Sequence, residues 1–416
     1  MSATAPLICL ITPGHVASTP RLVKEADALV EAGYRVHVVF GRNFPAADAL
    51  DAPILRSAGW RFTRVERLAG AGAAARKIMR RLARRLIVHP RFATVKIAAR
   101  ANSAEALHLG RVAARVPAAL YIGHCLPALP AAAMAARRRG SAYGFDAEDF
   151  HDAETAAVLS EQAERISAGV LQGRLLPGCA HLTASSPLIS RQYERAYGVH
   201  PRTVLNVFPL SQAPATPVDN GRISEGRPAR IYWFSQTIGA GRGLEAVVAV
   251  LGRMLAPVEL NLRGFPAAGY GARLQALAIR AGLKRPIRFL SPAPSSEMAR
   301  LAAGTDLGLS TEDRVPLNRD LCLTNKVFTY LLAGIPQLLS DTAAQRALAP
   351  DLGEAAFLVD LGETDLVAGK LDDFFASPAR AAAARRKARE LAADRFCWDL
   401  EKSIFLDSIR SIAPHP

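Results

Sequence analysis

The sequence predicts two doubly wound α/β domains in one chain, and three observations carry that expectation. Short runs that are apolar throughout, such as LICLIT at residues 7–12, alternate with stretches whose apolar residues recur at helical spacing. Strands buried on both faces of a parallel sheet read that way, with helices covering them. The alternation occurs twice, on either side of a stretch rich in Pro, Gly and polar residues from Ser211 to Arg230 that reads as a linker. A length of 416 residues and a hydrophobic content of 50% suffice for two or three domains with ample cores.

Taken in order, LICLIT is the first strand and PGHVAST the loop after it. Thr19 is placed to cap a helix whose first position is Pro20. Leu22, Ala26, Leu29 and Val30 form its buried face, Gly33 ends it, and RVHVVFG is the second strand. RFTRVERL, AALYIG, SAYGFDAE and HLTASS are further strands separated by helical segments, and RTVLNVF closes the first half. After the linker, IYWFS, VELNLRG, IRFLS, DLGLST, PQLLS and AAFLVD are strands with amphipathic helices between them. AAARRKARELAADRF and CWDLEKSIFLDSI make two closing helices, and no repeat at solenoid spacing is present.

The composition narrows the class. Charged residues make up 21%, a globular rather than a disordered balance. Cys9, Cys125, Cys179, Cys322 and Cys397 are scattered without a C-x-x-C, which argues against disulfides and zinc and for a reducing cytoplasm. The start of the chain lacks a basic segment, and LICLIT is too short for a signal peptide. VPAALYIGHCLPALPAAAMAA, residues 116–136, has the length of a membrane span, but Pro117, Pro127 and Pro130 break a continuous helix; strand, loop and helix start are expected there.

A net charge of +15 points to an anionic partner. Aromatic residues at 6% and the lack of a base-reading motif argue against nucleic acid. The densest basic segment is AARKIMRRLARRLIVHPR, residues 74–91. Ile78, Leu82 and Leu86 share one helical face, and Arg76, Lys77, Arg80, Arg81, Arg84 and Arg85 fill the rest. Such a basic amphipathic helix lies on an anionic membrane surface, here the inner face of the plasma membrane. The alternative is a surface helix packing its apolar stripe on the core.

Three loops carry candidate chemistry. In TNKVFTYLLAGIPQLLSD, residues 324–341, Thr324 is placed to cap a short helix that Gly334 and Pro336 terminate. The helix start, with Asn325 and Lys326 beside it, favours an anion such as phosphate; a capped helix with a solvated lysine is the alternative. In IYWFSQTIGAGRGLEAVV, Gly239, Gly241 and Gly243 let a phosphate approach the backbone and Arg242 can pair with it. A dinucleotide fingerprint is disfavoured, because position 244 is Leu and the next strand ends in Arg263-Gly264 rather than an acid. In FDAEDFHDAE, residues 145–154, Asp146, Glu148, Asp149 and His151 follow a strand and are suited to position an acceptor hydroxyl or take its proton. The same residues offer hard ligands for a divalent metal, or acids for a helix N-terminus. His124 ends another strand in GHCLP.

The second half resembles the nucleotide-sugar-binding half of GT-B glycosyltransferases of the large group 1 (family 4) class. WFSQTIGAGRGLE is similar to the first loop of that class, and DLGLSTEDRVPLNRDLCLTNKVFTYLLAGIPQLLSD to its donor-binding block in the version where Asn-Lys precedes the helix. STPRLVKEADALVEAGYRVHVV, HLTASSPLISRQYERAYGVHPRTVLNVFP and CWDLEKSIF resemble the first helix and second strand, the end of the N-terminal domain and the closing helix. The likeness covers nearly the whole chain.

The resemblance implies two Rossmann-like domains facing a cleft. Residues 1–210 would bind the acceptor, 211–229 would link, 230–392 would bind a nucleotide-diphosphate sugar, and 393–416 would pack back on the first domain. It implies transfer of a sugar to a saccharide or lipid-linked acceptor without metal or other cofactor, with retention favoured. A bacterial envelope or exopolysaccharide role is the expected setting. Arg242, Lys326, Asn325, Thr324, Gly239 and Gly241 would hold the donor, and Gly14, Ser18, Arg21 and His124 would line the acceptor side. The chain departs from the class at Thr329, where many members have a glutamate for the ribose, and at Thr237, where many have arginine. It departs again at Glu148-Asp149, where many have histidine or His-Glu. A hydroxyl at Thr329 can still bond a ribose, and Glu312 is the candidate replacement carboxylate. The rivals are a nucleotide-sugar 2-epimerase of the same architecture and an inactive subunit that partners another glycosyltransferase.

Overall fold

The computed structural model describes residues 5–42, 47–66, 70–153, 161–215 and 227–414. The chain divides into two units, Met1–Leu205 with Lys402–Pro416, and Asn206–Glu401.

In the first unit the order is β1 (Leu7–Thr12), α1 (Pro20–Glu31), β2 (Arg35–Arg42), α2 (Asp48–Ser57), β3 (Arg61–Glu66), α3 (Gly70–Leu86), α4 (Val95–Asn102), α5 (Ala106–Ala113), β4 (Leu120–His124), α6 (Ala128–Arg139), β5 (Ala142–Ala147), α7 (Gln162–Leu175), β6 (His181–Ala184), α8 (Pro187–Tyr197) and β7 (Arg202–Thr203). The strands form a seven-stranded parallel sheet in the order β3-β2-β1-β4-β5-β6-β7. Central β1 is buried from Ile8 onward, as its unbroken apolar run requires, whereas edge strand β3 exposes most of its residues. The segment 116–136 folds as β4 and the start of α6. Among the described residues no helix is long and apolar enough to cross a membrane.

In the second unit the order is β8 (Ala229–Ile238), α9 (Leu244–Arg253), β9 (Val258–Pro266), α10 (Tyr270–Arg280), β10 (Arg288–Leu290), α11 (Met298–Ala303), β11 (Leu307–Ser310), α12 (Leu317–Leu321), α13 (Asn325–Ala333), β12 (Gln337–Ser340), α14 (Ala343–Leu352), β13 (Ala356–Val359), α15 (Thr364–Phe375), α16 (Pro378–Asp394) and α17 (Trp398–Arg410). Its six parallel strands run β10-β9-β8-β11-β12-β13. Each sheet therefore reverses its winding once, at β1/β4 and at β8/β11, and the loops beyond the carboxyl ends of those pairs are where such sheets hold ligands.

Several local expectations are corrected. RTVLNVF does not form one strand: Arg202–Thr203 pairs with β6, while Phe208 bridges to Cys397 in the second unit. Of the expected linker, residues 216–226 lie outside the described residues. Thr19 makes no side-chain cap, because its backbone is not extended (φ −128°, ψ 65°) and its hydroxyl lies 3.2 Å from that of Thr12. Thr324 has the extended backbone of a cap, but its hydroxyl turns to Ser310, 3.3 Å away, and leaves the first turn of α13 without a side-chain cap.

The closing helix α17 is shared between the two units. At its start Trp398 donates its N–H to the Phe208 carbonyl (3.0 Å), and Asp399 accepts from Leu210 N (2.8 Å), both within the second unit. Further along, Phe405 packs edge-on against His181 of the first unit, and Ser408 Oγ lies 2.6 Å from His181 Nδ1.

The basic helix α3 buries Ala83, with Ile87 just beyond its end, and is tied down by ion pairs from Arg76 to Glu105 and from Arg84 to Glu164. The expected apolar stripe is not the packed face: Ile78 is 63% and Leu82 55% exposed, beside the exposed Lys77, Arg81 and Arg85.

Candidate functional site

Polar clusters gather at the carboxyl end of each sheet's reversal point. In the first unit α1 begins shortly after β1, and its first turns carry Arg21, Lys24 and Glu25 inward. Strand β4 ends at His124, and the parallel register sets His124 opposite Asp146 of β5. Gly123 permits this, since a Cβ there would lie 2.7 Å from the Ala128 carbonyl oxygen at the start of α6.

Arg21 Nε donates to Asp146 Oδ2 at 2.6 Å, and its Nη1 donates to the Val204 carbonyl at 2.6 Å. Thr183 donates its hydroxyl to the other Asp146 oxygen at 2.7 Å. His124 lies between two acids, with Nδ1 3.3 Å from Asp146 and Nε2 3.3 Å from Glu25. Glu25 is also 3.4 Å from Arg21 one turn back. All of these side chains are buried.

Burial alone would raise the Asp146 carboxyl, but Arg21 and His124 hold it well below its ordinary range. Burial would depress His124, but Glu25 and Asp146 raise it. Glu25 is pushed up to about 7 by burial and by the Asp146 charge. Burial and the neighbouring Arg21 bring Lys24 down to about 7, against the pull of Glu148. The His124, Glu25 and Asp146 set has donors a cation could use, yet the Arg21 guanidinium already sits against both carboxylates and supplies the positive charge.

The acidic turn divides by exposure. Asp146 is enclosed with both oxygens occupied, so it positions its neighbours and is not placed to touch an acceptor. His151 is buried with its ring against Phe145, in a short 3-10 turn. Among the described residues the next α-helix is α7, from Gln162. Residue 154 lies outside the described residues. Glu148 and Asp149 are partly exposed, and burial together with the charges of Asp149 and Asp146 pushes Glu148 up to about 7. A partly exposed carboxyl poised near neutrality is suited to general acid–base work.

Gly14 and Ser18 lie in the turn after β1, where the Gly14 N–H approaches Thr12 Oγ1 (3.4 Å) and Ser18 N donates to the His15 carbonyl (3.1 Å). Asp51 secures this turn, taking His15 Nδ1 at 2.6 Å and Ala17 N at 2.9 Å.

In the second unit the glycine loop connects β8 to α9. Gly241 and Gly243 have φ of 77° and 67°, and a Cβ on Gly241 would overlap the Arg319 guanidinium, which donates to the Gly241 carbonyl. A Cβ on Gly239 would make ordinary contacts with Ala267 and Thr237, at 3.8 and 3.9 Å. Thr311 Oγ1 donates to the Arg242 carbonyl at 2.8 Å, fastening the loop to the end of β11.

The centre of the site is Glu312. Lys326 Nζ donates to its Oε1 at 2.9 Å, and Arg242 Nη1 donates to its Oε2 at 2.9 Å. Burial would raise Glu312, but these two cations lower it. Lys326 is only 4% exposed and lies over the Trp233 ring, 5.5 Å from its centroid, so it is neither solvated nor the outermost cation. The Arg242 side chain keeps 33% of its surface exposed. Thr324 and Asn325 are partly exposed at the start of α13. Thr329 is buried and donates its hydroxyl to the Asn325 carbonyl (2.9 Å), so it is not presented to a ribose as expected. Glu312 is likewise not presented to hydroxyls, since both its oxygens are engaged.

Sequence reasoning missed Lys24, Glu25, His15, Asp51, Arg319 and Trp233. The Arg21/Glu25 spacing of one helical turn was a usable signal; Asp51 and Arg319 reach their partners only through the fold.

No family model and no curated protein matches the sequence. The structure is similar to that of HepE (Alr3699) from Anabaena in complex with UDP and glucose, with 16% identity, 98% of this chain and 100% of that chain covered, and a TM-score of 0.69. It is similar to sucrose-phosphate synthase from Thermosynechococcus elongatus, with 16% identity, 98% and 99% covered, and a TM-score of 0.69. It also matches WaaG, a glycosyltransferase involved in lipopolysaccharide biosynthesis, with 12% identity, 98% and 100% covered, and a TM-score of 0.59. With two parallel doubly wound sheets and likeness over nearly the whole length of these chains, the protein has the GT-B fold, built from two Rossmann-like domains.

Proposed function

We propose that the chain is a glycosyltransferase that moves a sugar from a nucleoside-diphosphate sugar to an acceptor hydroxyl. The observation that carries this is the cationic site at the β8/β11 reversal point. There a partly exposed Arg242 and the start of α13, which no side chain caps, stand by a half-exposed glycine loop. Structures of the same fold were solved with UDP and with UDP-glucose.

On this reading Arg242 and the N–H groups of Asn325 and its neighbours take the diphosphate, and Lys326 acts from behind through Glu312. Charge grows on the phosphate as the glycosidic bond breaks, and fixed donors there stabilise the transition state more than the ground state. No metal is needed for that step. Glu148 is the acceptor-side base, with Asp149 beside it; Asp146, His151, His124 and Arg21 hold the turn in place. Retention of the anomeric linkage and an envelope or exopolysaccharide role, with a saccharide or lipid-linked acceptor, complete the proposal.

The exposed Ile78 and Leu82 of α3, flanked by Lys77, Arg81 and Arg85, support a peripheral seat on an anionic membrane surface. Calorimetric titration with a panel of nucleoside diphosphates, followed by product analysis with and without acceptors, tests the function. A folded chain that binds none of them sinks the enzyme reading and favours an inactive partner subunit. Conversion of the donor sugar without any acceptor would instead make it an epimerase.

A further inference from the structure

The donor site holds an anion of its own. Glu312 lies at the end of β11, buried, with one oxygen on Lys326 and the other on Arg242, each at 2.9 Å. Its backbone is fixed as well, since Ser340 Oγ accepts from Glu312 N and donates to the Glu312 carbonyl, both at 2.9 Å. Arg319 stands on the same loop through the Gly241 carbonyl. Two cations thus hold one carboxylate and keep it ionised, with a third, Arg319, on the neighbouring loop. A buried charge is little screened by salt, so any phosphate arriving at Arg242 feels this carboxylate as well as the cations.

We propose that Glu312 is a built-in counter-anion that sets the preference of the site between donor and product. The inference rests on the donor-site reading above. A sugar nucleotide carries a diphosphate diester. Once the sugar leaves, the terminal phosphate gains a second ionisable oxygen with a pKa of about 6, so the product carries nearly one more negative charge at neutral pH. Arg242 and Lys326 alone would bind the product more tightly than the donor and slow turnover. The fixed carboxylate opposes that added charge, which weakens product binding more than donor binding and speeds release. Glu312 acts through charge, without touching the sugar.

The test compares affinities of UDP and UDP-glucose for the wild-type chain, Glu312→Gln and Glu312→Asp by calorimetry, with the guanosine pair used instead if the panel selects guanine. Removing the charge should tighten UDP by about tenfold and UDP-glucose by about threefold, moving their ratio by about threefold in favour of product. Glu312→Asp, which keeps the charge, should retain the wild-type ratio, and uridine should bind all three alike. Circular dichroism melting establishes that each variant is folded. If Glu312→Gln weakens both ligands, or leaves their ratio unchanged, Glu312 is only a spacer between two cations and the inference is wrong. If the folded wild-type chain binds no nucleoside diphosphate at all, the donor-site reading itself has failed.

Discussion

Replacing Arg21 by Met tests the buried cluster of the first unit. The substitution keeps most of the side-chain volume and removes the guanidinium that donates to Asp146 and to the Val204 carbonyl, both at 2.6 Å. It leaves Asp146 and Glu25, both enclosed, without their guanidinium, although His124 still lies between them and Thr183 still donates to Asp146. Breaking one member out of a buried ion network costs about 3–5 kcal/mol, because the remaining charge is uncompensated. A carboxylate hydrogen bond alone accounts for about 1.5–3 kcal/mol of that. Urea unfolding followed by near-ultraviolet circular dichroism should show the loss at pH 7. The pH dependence gives the sign. Asp146 in the wild-type fold is held below its unfolded pKa, so its contribution is present above the unfolded value and is lost as pH falls through the depressed folded one. Without Arg21 that depression lessens, and protonating Asp146 or Glu25 relieves the stranded charge. The gap between wild type and Arg21→Met should therefore narrow as pH falls through about 4 and below, where the wild type loses the contribution of its depressed carboxyl. A gap below about 1 kcal/mol at pH 7, or one that does not change with pH, would refute the charge-network account.

Other expectations follow from the same geometry. Arg242→Ala should weaken nucleoside-diphosphate binding by roughly ten- to a hundredfold, the worth of a charged hydrogen bond, and leave the nucleoside alone unaffected; calorimetry reads both. Lys326→Ala should also lower the melting temperature, because it leaves Glu312 buried with one cation, whereas Arg242→Ala, at a partly exposed position, should lower it less. Glu148→Gln should slow transfer while donor affinity stays within a few-fold. In the wild type the rate should rise as pH passes upward through about 7, where the raised carboxyl deprotonates; a rate flat across that range excludes Glu148 as the base. Ile78→Ser with Leu82→Ser, or Arg81→Gln with Arg85→Gln, should abolish flotation with anionic vesicles. Arg84→Gln, which removes a pair to Glu164, should cost stability instead.

The two-sheet architecture was legible because parallel strands buried on both faces leave apolar runs that nothing else in the chain imitates. Arg21, His124 and the pair of Asp146 and Glu148 were picked out from three separate segments; the β4/β5 register sets His124 opposite Asp146, and α1 brings Arg21 to them. What the sequence did not disclose is which of them face solvent. Asp146 lies in β5 and Glu148 just past its end, yet the first is enclosed by Arg21 and Thr183 and the second is partly open. Lys326 looked like a phosphate ligand from its place at a helix start. Its burial over Trp233 depends on a carboxylate fourteen positions earlier, a pairing that periodicity cannot register. On α3 it was the alternative of a stripe packed on the core that failed, since Ala83 and Ile87 are buried and the larger Ile78 and Leu82 are exposed.

The division of α17 between the units has a consequence for the order in which the protein can fold. The first unit is synthesised up to Leu205, but its sheet has no partner for His181 until Phe405 and Ser408 emerge, roughly two hundred residues later. At about 5–20 residues per second the wait is on the order of 10–40 s. During that time His181 lacks the Phe405 ring and the Ser408 hydroxyl. The segment from Lys402 onward thus completes the first unit only after the second has been made, and a chain that stalls in the second unit leaves His181 without Phe405 and Ser408.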